Sequence, residues 1–329
     1  MKQTKYISII LIVISLLYTL SGCSKSNENR VVIYTSAEDY RIEYMQKRLA
    51  ETFPDYEIVI EYMTTGDHAA KLMSEGKTTE ADITYDLEYG YMEQLASAGV
   101  LTDLRDMYDM SVWADDSLRS TYYLPESKNG GAIIINPAVL RDKGLEVPTS
   151  YKDLLKPEYK NLISIPNPKS SGTGYMFLKA LVNTMGEDKA FAYFDSLSKN
   201  VLQFTSSGSG PVNALIQGEA AIGLGMTGQA VAAINNGQNL EILYFEEGSP
   251  YSLYGQGIIS GKENKVAVKK VFDFLINTYA YENCEKFFPE PIFKNKVFTI
   301  DNYPINIHYA DMSNDTLDEK TRLLDKWKY

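Results

Sequence analysis

Cysteine is almost absent from this chain: its 329 residues hold two, Cys23 and Cys284. Cys284 lies in an apolar stretch, where a thiol is usually structural rather than reactive, and with Cys23 assigned to a modification below, no intrachain disulfide can form. Histidine is as scarce, with only His68 and His308. That leaves no cluster with metal-ligand spacing and few bases for nucleophilic catalysis. A G-x-S-x-G elbow and an S-x-x-K at a helix start are also missing, so no catalytic residues, metal site or cofactor are expected. Positive charge is the third shortage: 32 Lys and Arg face 43 Asp and Glu, a net charge of −11. Such a surface disfavours nucleic acid and anionic lipid, and any bound anion has to be held by local neutral donors. Long apolar runs are lacking too. The longest, Ile7 to Leu20, has about 14 residues where a spanning helix needs about 20.

That short run is informative in its position. Lys2 and Lys5 precede it, and Leu20-Ser21-Gly22-Cys23 follows it, which reads as a secretory signal (residues 1–22) ending in a lipobox. Cys23 is then the first mature residue, carrying lipid that anchors the chain on the outer face of the cytoplasmic membrane. Loss of Lys2 and Lys5 deepens the charge to −13. Residues 23–30 read as a flexible tether. With 44% apolar and 12% aromatic residues, the remainder has enough material for two lobes with cores of their own.

Strand and helix patterns alternate from Val31 onward. β-rich runs at 31–36, 57–62 and 81–85 alternate with helical patterns at 42–53, 67–74 and 89–98, the mark of a parallel sheet with covered faces. A second series starts at Gly130-Gly131, with strands expected at 132–136, 163–165, 201–204, 220–226, 240–245 and 255–259. Helices are expected at 174–184, 212–217, 229–236, 262–278 and 316–327. Ligands of such sheets bind beyond the carboxyl ends of the strands. Those ends carry Ser36, Thr65, Asp86, Ser170-Ser171-Gly172-Thr173, Ser207-Gly208 and Thr227. The stretch from Ile165 to Ala180 is central: two prolines stop a strand, small hydroxyl residues follow, and an apolar helical stripe begins. A helix N-terminus without bulk offers unpaired N–H donors and a partial positive charge to an anion, although Ser and Thr there also serve as ordinary caps. Asp86 reads equally as an acceptor for a ligand hydroxyl or ammonium and as a helix cap. His68 reads as a surface or rim residue.

Several segments in this order resemble solute-binding lipoproteins of the periplasmic-binding fold, in the group of ferric-iron, hexose-phosphate and aminoethylphosphonate receptors of ABC importers. They are Val32-Ile-Tyr-Thr-Ser36, Thr65 to Lys71, Ala81-Asp82, Pro166 to Tyr175, Gly218 to Gly223 and Glu246 to Pro250. The resemblance implies a type II-like α/β fold of two lobes that close on a ligand, without chemistry: residues 31–130 and 262–329 in one lobe, 131–261 in the other, with crossings near 130–136 and 256–261. It also implies a monomer that hands a small anionic solute to permease subunits, and the donor clusters point to a phosphorylated or phosphonate solute. Ferric members use two adjacent tyrosines at a turn where this chain has Thr227-Gly228-Gln229. Neutral Thr and Gln are poor Fe(III) ligands, so iron is the second choice, and the adjacent Tyr122-Tyr123 falls elsewhere. One motif suggests another class altogether: Gly223, Gly225 and Gly228 fit the G-x-G-x-x-G dinucleotide fingerprint, with Glu246 about 20 residues on.

Overall fold

The computed structural model describes residues 27–329; the expected signal peptide and Cys23 lie outside them. The run Arg30–Thr35 (β1) is the inner strand of the first lobe, parallel to Glu57–Tyr62 (β2) on one side and Ile83–Glu88 (β3) on the other. Val31, Val32 and Ile33 are fully buried, as expected of a parallel strand covered on both faces. The sheet then turns antiparallel: Tyr251–Ile258 (β9) lies on β3, with Ile258 opposite Ile83, and Leu124–Ile135 (β4) lies on β9. Past Gly130, β4 changes partners and runs antiparallel to Ile222–Met226 (β7) and Glu241–Leu243 (β8). Ile163–Pro166 (β5) and Val201–Thr205 (β6) continue the second lobe in parallel, giving the order β2-β1-β3-β9-β4-β7-β5-β6.

The sequence predicts a strand from Ala132, introduced by Gly130-Gly131, but β4 starts at Leu124 and runs through both glycines. A Cβ on Gly131 would stand 2.7 Å from Met176 Cε and 2.8 Å from a Pro250 ring carbon, so this glycine lets the strand pass a crowded crossing.

Helices cover the faces: Asp39–Thr52 (α1), Thr65–Glu75 (α2), Tyr89–Ser97 (α3), Pro137–Asp142 (α4), Gly172–Met185 (α5), Glu187–Leu197 (α6), Gly210–Ile216 (α7), Thr227–Asn235 (α8), Val266–Phe274 (α9), Ala280–Lys286 (α10) and Leu317–Lys326 (α11). α4, α6 and α10 are not among the helices the sequence predicts. A π turn at Leu275–Tyr279 joins α9 to α10. Thr64 caps α2 from the side chain, Ser171 caps α5, and Asn136 caps α4 with Pro137 in the first turn, the arrangement that satisfies first-turn N–H groups.

Two expected boundaries are corrected. The return crossing lies at 245–250 rather than 256–261, because β9 pairs with β3 and β4 of the first lobe along its length. The C-terminal segment does not stay in the first lobe either. Ile292 and Phe293 pack in the first lobe's core, but Ala310, Met312, Leu323 and Trp327 belong to the second lobe's core with Phe177 and Phe194. From there α11 reaches back: Lys320, 2% exposed, pairs with Glu88 at the end of β3 and lies over the rings of Tyr91 and Tyr175.

Candidate functional site

The strand ends of both lobes meet along one seam. From the first lobe come the turn after β1, the N-terminus of α2 and the end of β3; from the second come the N-termini of α5, α7 and α8. The Thr65-Gly66 turn rests on the Ser170 turn, with Gly66 N–H donating to the Ser170 carbonyl at 3.3 Å. A Cβ on Gly66 would fall 2.8 Å from the Lys169 carbonyl oxygen, so only glycine permits this approach of the lobes. Ser36, Glu38, Asp39 and Tyr62 face Ser207, Gly208, Ser209 and Asn213 across a cavity of about 200 Å3. The structure therefore brings Ser36 together with Ser207 and Gly208, and Gly208 packs against the hydroxyls of Thr173 and Ser171.

Five of the expected hydroxyls also have a local partner. Ser171 Oγ accepts from Gly174 N–H at 3.4 Å as the cap of α5. Ser170 Oγ leans on the Asn167 carbonyl at 3.5 Å. Ser207 Oγ and Ser209 Oγ are 3.0 Å apart, and Ser36 Oγ donates to the Asp86 carbonyl. Thr65 is buried at the start of α2, Thr173 is buried beside Gly208, and Thr227 Oγ1 sits 3.2 Å from the Tyr244 hydroxyl. Gly172 is held small by Tyr254, whose hydroxyl would be 2.5 Å from a Cβ there.

Asp86 takes neither role expected of it. It occupies a bulge between Thr84 and Leu87 with φ of 56°, a left-handed conformation that Asp tolerates, and the bulge re-aims its side chain inward. Its carboxylate is 2.8 Å from Arg41 Nη1, both groups being about 1% exposed. The cap of α3 is Glu88, which accepts from Gly90 N–H. Arg41 also meets Glu38 at 3.0 Å and Glu126 at 2.5 Å, and Glu126 accepts from Tyr85 at 2.6 Å and Asn283 at 2.9 Å. Burial alone would lower the Arg41 pKa, but the three carboxylates hold it well above its ordinary value. Burial pushes the Asp86 carboxyl up, with the Arg41 charge opposing and Glu126 and Glu38 adding to the rise. This cluster is a buried girder beneath the seam. A signal for it stood in the sequence: Arg41, Met45 and Leu49 share one helical stripe, a charge in an apolar row.

Other residues at the seam carry no signal in the sequence: Tyr40, Tyr254, Glu290, Tyr303 and Tyr309, with Gln229 marked there only as a poor iron ligand. Tyrosine is so common here, with 25 in the chain, that no single one stood out. His68 is fully buried rather than a rim residue, 3.1 Å from Thr84 Oγ1 through Nε2. The glycines of the dinucleotide-like motif are packing glycines. Cβ atoms there would meet Leu215 and Pro211 at Gly223, Ile134 and Val212 at Gly225, and the Phe288 ring at Gly228, so protein side chains fill the space a pyrophosphate needs. Tyr123 is buried against the Tyr89 ring, while Tyr122 is partly exposed. Among the described residues, no group of His, Cys, Asp and Glu has the arrangement of a metal site, and no helix is long and apolar enough to cross a membrane.

Comparison with known proteins fits this architecture. A protein from Haemophilus influenzae described only as uncharacterized is 27% identical over 272 residues, 79% of this chain and 76% of that one. The periplasmic binding protein AfuA from Actinobacillus pleuropneumoniae, solved with fructose-6-phosphate bound, superposes with a TM-score of 0.79 at 26% identity, covering 91% of this chain and 97% of that one. The periplasmic binding protein P5PA gives the same TM-score at 24% identity, covering 91% and 98%, a likeness of fold. The fold is thus that of the type II-like periplasmic binding proteins, and these neighbours are binding proteins. The family model for bacterial extracellular solute-binding proteins matches residues 79–317, and this chain belongs to that family.

Proposed function

We propose that this protein is a lipid-anchored, extracytoplasmic solute receptor that captures a small phosphorylated or phosphonate solute and delivers it, as a monomer, to an ABC permease. The observation that carries the reading is the facing of Ser36 and Ser207–Ser209 across one cavity, with the N-terminal turn of α5 packed beside Gly208. Hydroxyls and helix-start N–H groups from both lobes supply charge-assisted hydrogen bonds to an anion without a lysine. Because the donors come from two lobes, an anion that bridges them favours closure by its differential contacts. The test is a thermal-shift panel with inorganic phosphate, a hexose 6-phosphate, aminoethylphosphonate, thiamine and Fe(III). A ligand at a hundredfold its Kd stabilises by about 2.7 kcal/mol; stabilisation by the phosphorylated compounds supports the reading, and none from any of them defeats it. The anchor is tested by palmitate labelling of whole cells, with label lost in Cys23→Ala.

Iron has one observation in its favour: the Glu290 carboxylate stands among the phenols of Tyr244, Tyr303 and Tyr309, and phenolates are hard donors suited to Fe(III). A coloured phenolate–iron complex on titration with Fe(III) would select it.

A further inference from the structure

Four buried polar atoms at the seam lack any hydrogen-bond partner: the hydroxyls of Tyr40, Tyr303 and Tyr309, and Gln229 Oε1. Unpaired buried polar groups are costly and therefore rare, so four in one region call for an explanation, and they come from separate parts of the chain. Tyr40 belongs to α1, Gln229 to α8, and Tyr303 and Tyr309 to the segment that crosses from the first lobe to the second.

These residues line two cavities, and Tyr40 lies near enough to Tyr303 to act on its phenol. Tyr40 and Gln229 line a shared cavity of about 460 Å3, and Glu290, Tyr303 and Tyr309 line another of about 330 Å3. At the site of Gly130, an added Cβ would lie 3.4 Å from the Tyr309 hydroxyl and 3.7 Å from Thr227 Oγ1. Gln229 spends its amide donors on the Ser209 carbonyl and Asn213 Oδ1, both at 3.2 Å, and Ser209 and Asn213 line the serine cavity. The Glu290 carboxylate comes within reach of the Tyr303 and Tyr309 hydroxyls without the geometry to pair with either. Burial, and then Glu290, push both phenols up, so they remain neutral donors.

The chemistry of the set selects its guest. Glu290 and Gln229 Oε1 are acceptors that require donors, while the three phenols also have protons to give. A hydroxyl donates and accepts, so vicinal hydroxyls satisfy both kinds. An ammonium only donates and would leave the Tyr40 proton unmatched, and a second anion would face Glu290.

Resting on the reading above, we infer that Tyr40, Gln229, Glu290, Tyr303 and Tyr309 form a second subsite of the cleft, which takes the polyhydroxylated end of a phosphorylated solute. The anion lies at the serine turns, the hydroxyls lie at the phenols and Glu290, and the solute is of the sugar-phosphate class. A sugar end contacts Tyr40 of the first lobe and Gln229 of the second together, so this subsite, like the anion subsite, rewards closure.

The test is calorimetric titration of the full mature protein with a hexose 6-phosphate, the free hexose, phosphoethanolamine and inorganic phosphate, using wild type, Tyr303→Phe, Tyr309→Phe and Glu290→Gln. Expected are at least tenfold tighter binding of the hexose phosphate than of phosphoethanolamine or phosphate, and a fall of at least tenfold in the hexose phosphate to phosphate affinity ratio in each variant. Tyr303→Phe removes an unpaired hydroxyl, so its ligand-free Tm should equal or exceed that of wild type, which separates lost recognition from lost folding. An unchanged ratio in all three variants overturns the subsite and leaves the anion reading intact. Preference for phosphoethanolamine, or a coloured iron complex lost in the Phe variants, overturns the polyol assignment. Binding of the free hexose as tightly as its phosphate, weakened by the variants, supports the subsite while defeating the phosphate reading.

Discussion

At the scale of single residues, the anion reading and the capping reading of Ser171 are compatible, because a hydroxyl that accepts from the helix still has a proton to donate. Its Oγ accepts from Gly174 N–H, and aspartate is an equally good cap, so Ser171→Asp should fold normally. The new carboxylate lies against Gly208 at the mouth of the cleft and repels a phosphate. The expected result is an unchanged Tm with hexose phosphate affinity reduced at least about a hundredfold by calorimetry, since a lost charge-assisted contact and an added repulsion together exceed ~3 kcal/mol. Retained affinity would move the anion elsewhere. Arg41 is the opposite case, a structural residue whose loss leaves Glu38, Asp86 and Glu126 buried without their cation. Arg41→Met should cost roughly 3–5 kcal/mol in urea unfolding, the usual penalty for breaking a buried pair from one side.

Among elements, α2 has a titratable core. His68 on this helix is fully buried and its pKa is lowered to about 3, by burial first and then by Lys71. An unfolded chain binds that proton near pH 6.5 and the native one near 3, so between these values the unfolded state holds more protons and stability rises with pH. The His68 contribution is therefore complete above the unfolded pKa and is lost on acidification at up to about 1.4 kcal/mol per pH unit. Urea unfolding at pH 7, 6, 5 and 4 should show the stability gap between wild type and His68→Gln shrinking as the pH falls; a constant gap would mean that His68 titrates normally. The helix α11 raises a different question, because its residues serve both lobes. Trp327 packs against Phe194 and Phe204 in the second lobe, and Lys320 pairs with Glu88 in the first. Burial alone would lower the Lys320 pKa, but Glu88 holds it up.

For the molecule as a whole, the Lys320–Glu88 pair ties the C-terminal strap to the end of β3, next to the seam where the lobes meet. Lys320→Met strands a buried carboxylate and should destabilise by about 3–5 kcal/mol, whereas adding Glu88→Gln, which keeps an acceptor for Gly90 N–H, should restore most of that loss. A double-mutant cycle by urea unfolding measures the coupling, and additive effects would show that the two residues do not act together. Closure itself is visible in small-angle scattering. A bound solute that contacts both lobes selects the closed form, so saturating hexose phosphate should leave the radius of gyration unchanged or smaller, and an increase would contradict lobe closure.

Much of this molecule follows from local rules. The valine and isoleucine runs at 31–33 and 58–60 had to be strands, and hydroxyl residues ahead of apolar stripes had to start helices at Thr65 and Gly172. Those properties depend on near neighbours in the chain and survive without knowledge of the fold. The partnership of β9 with β3, the route of β4 through two glycines, the reach of α11 to Glu88 of the first lobe, and the turning of Asp86 onto Arg41 depend on residues between 45 and 232 positions apart. The gathering of Tyr40, Gln229, Glu290, Tyr303 and Tyr309 is of this second kind. None of them is marked in the sequence as part of a shared site, and only the meeting of two lobes and a crossing segment removes them from water together and leaves their hydrogen bonds unmade.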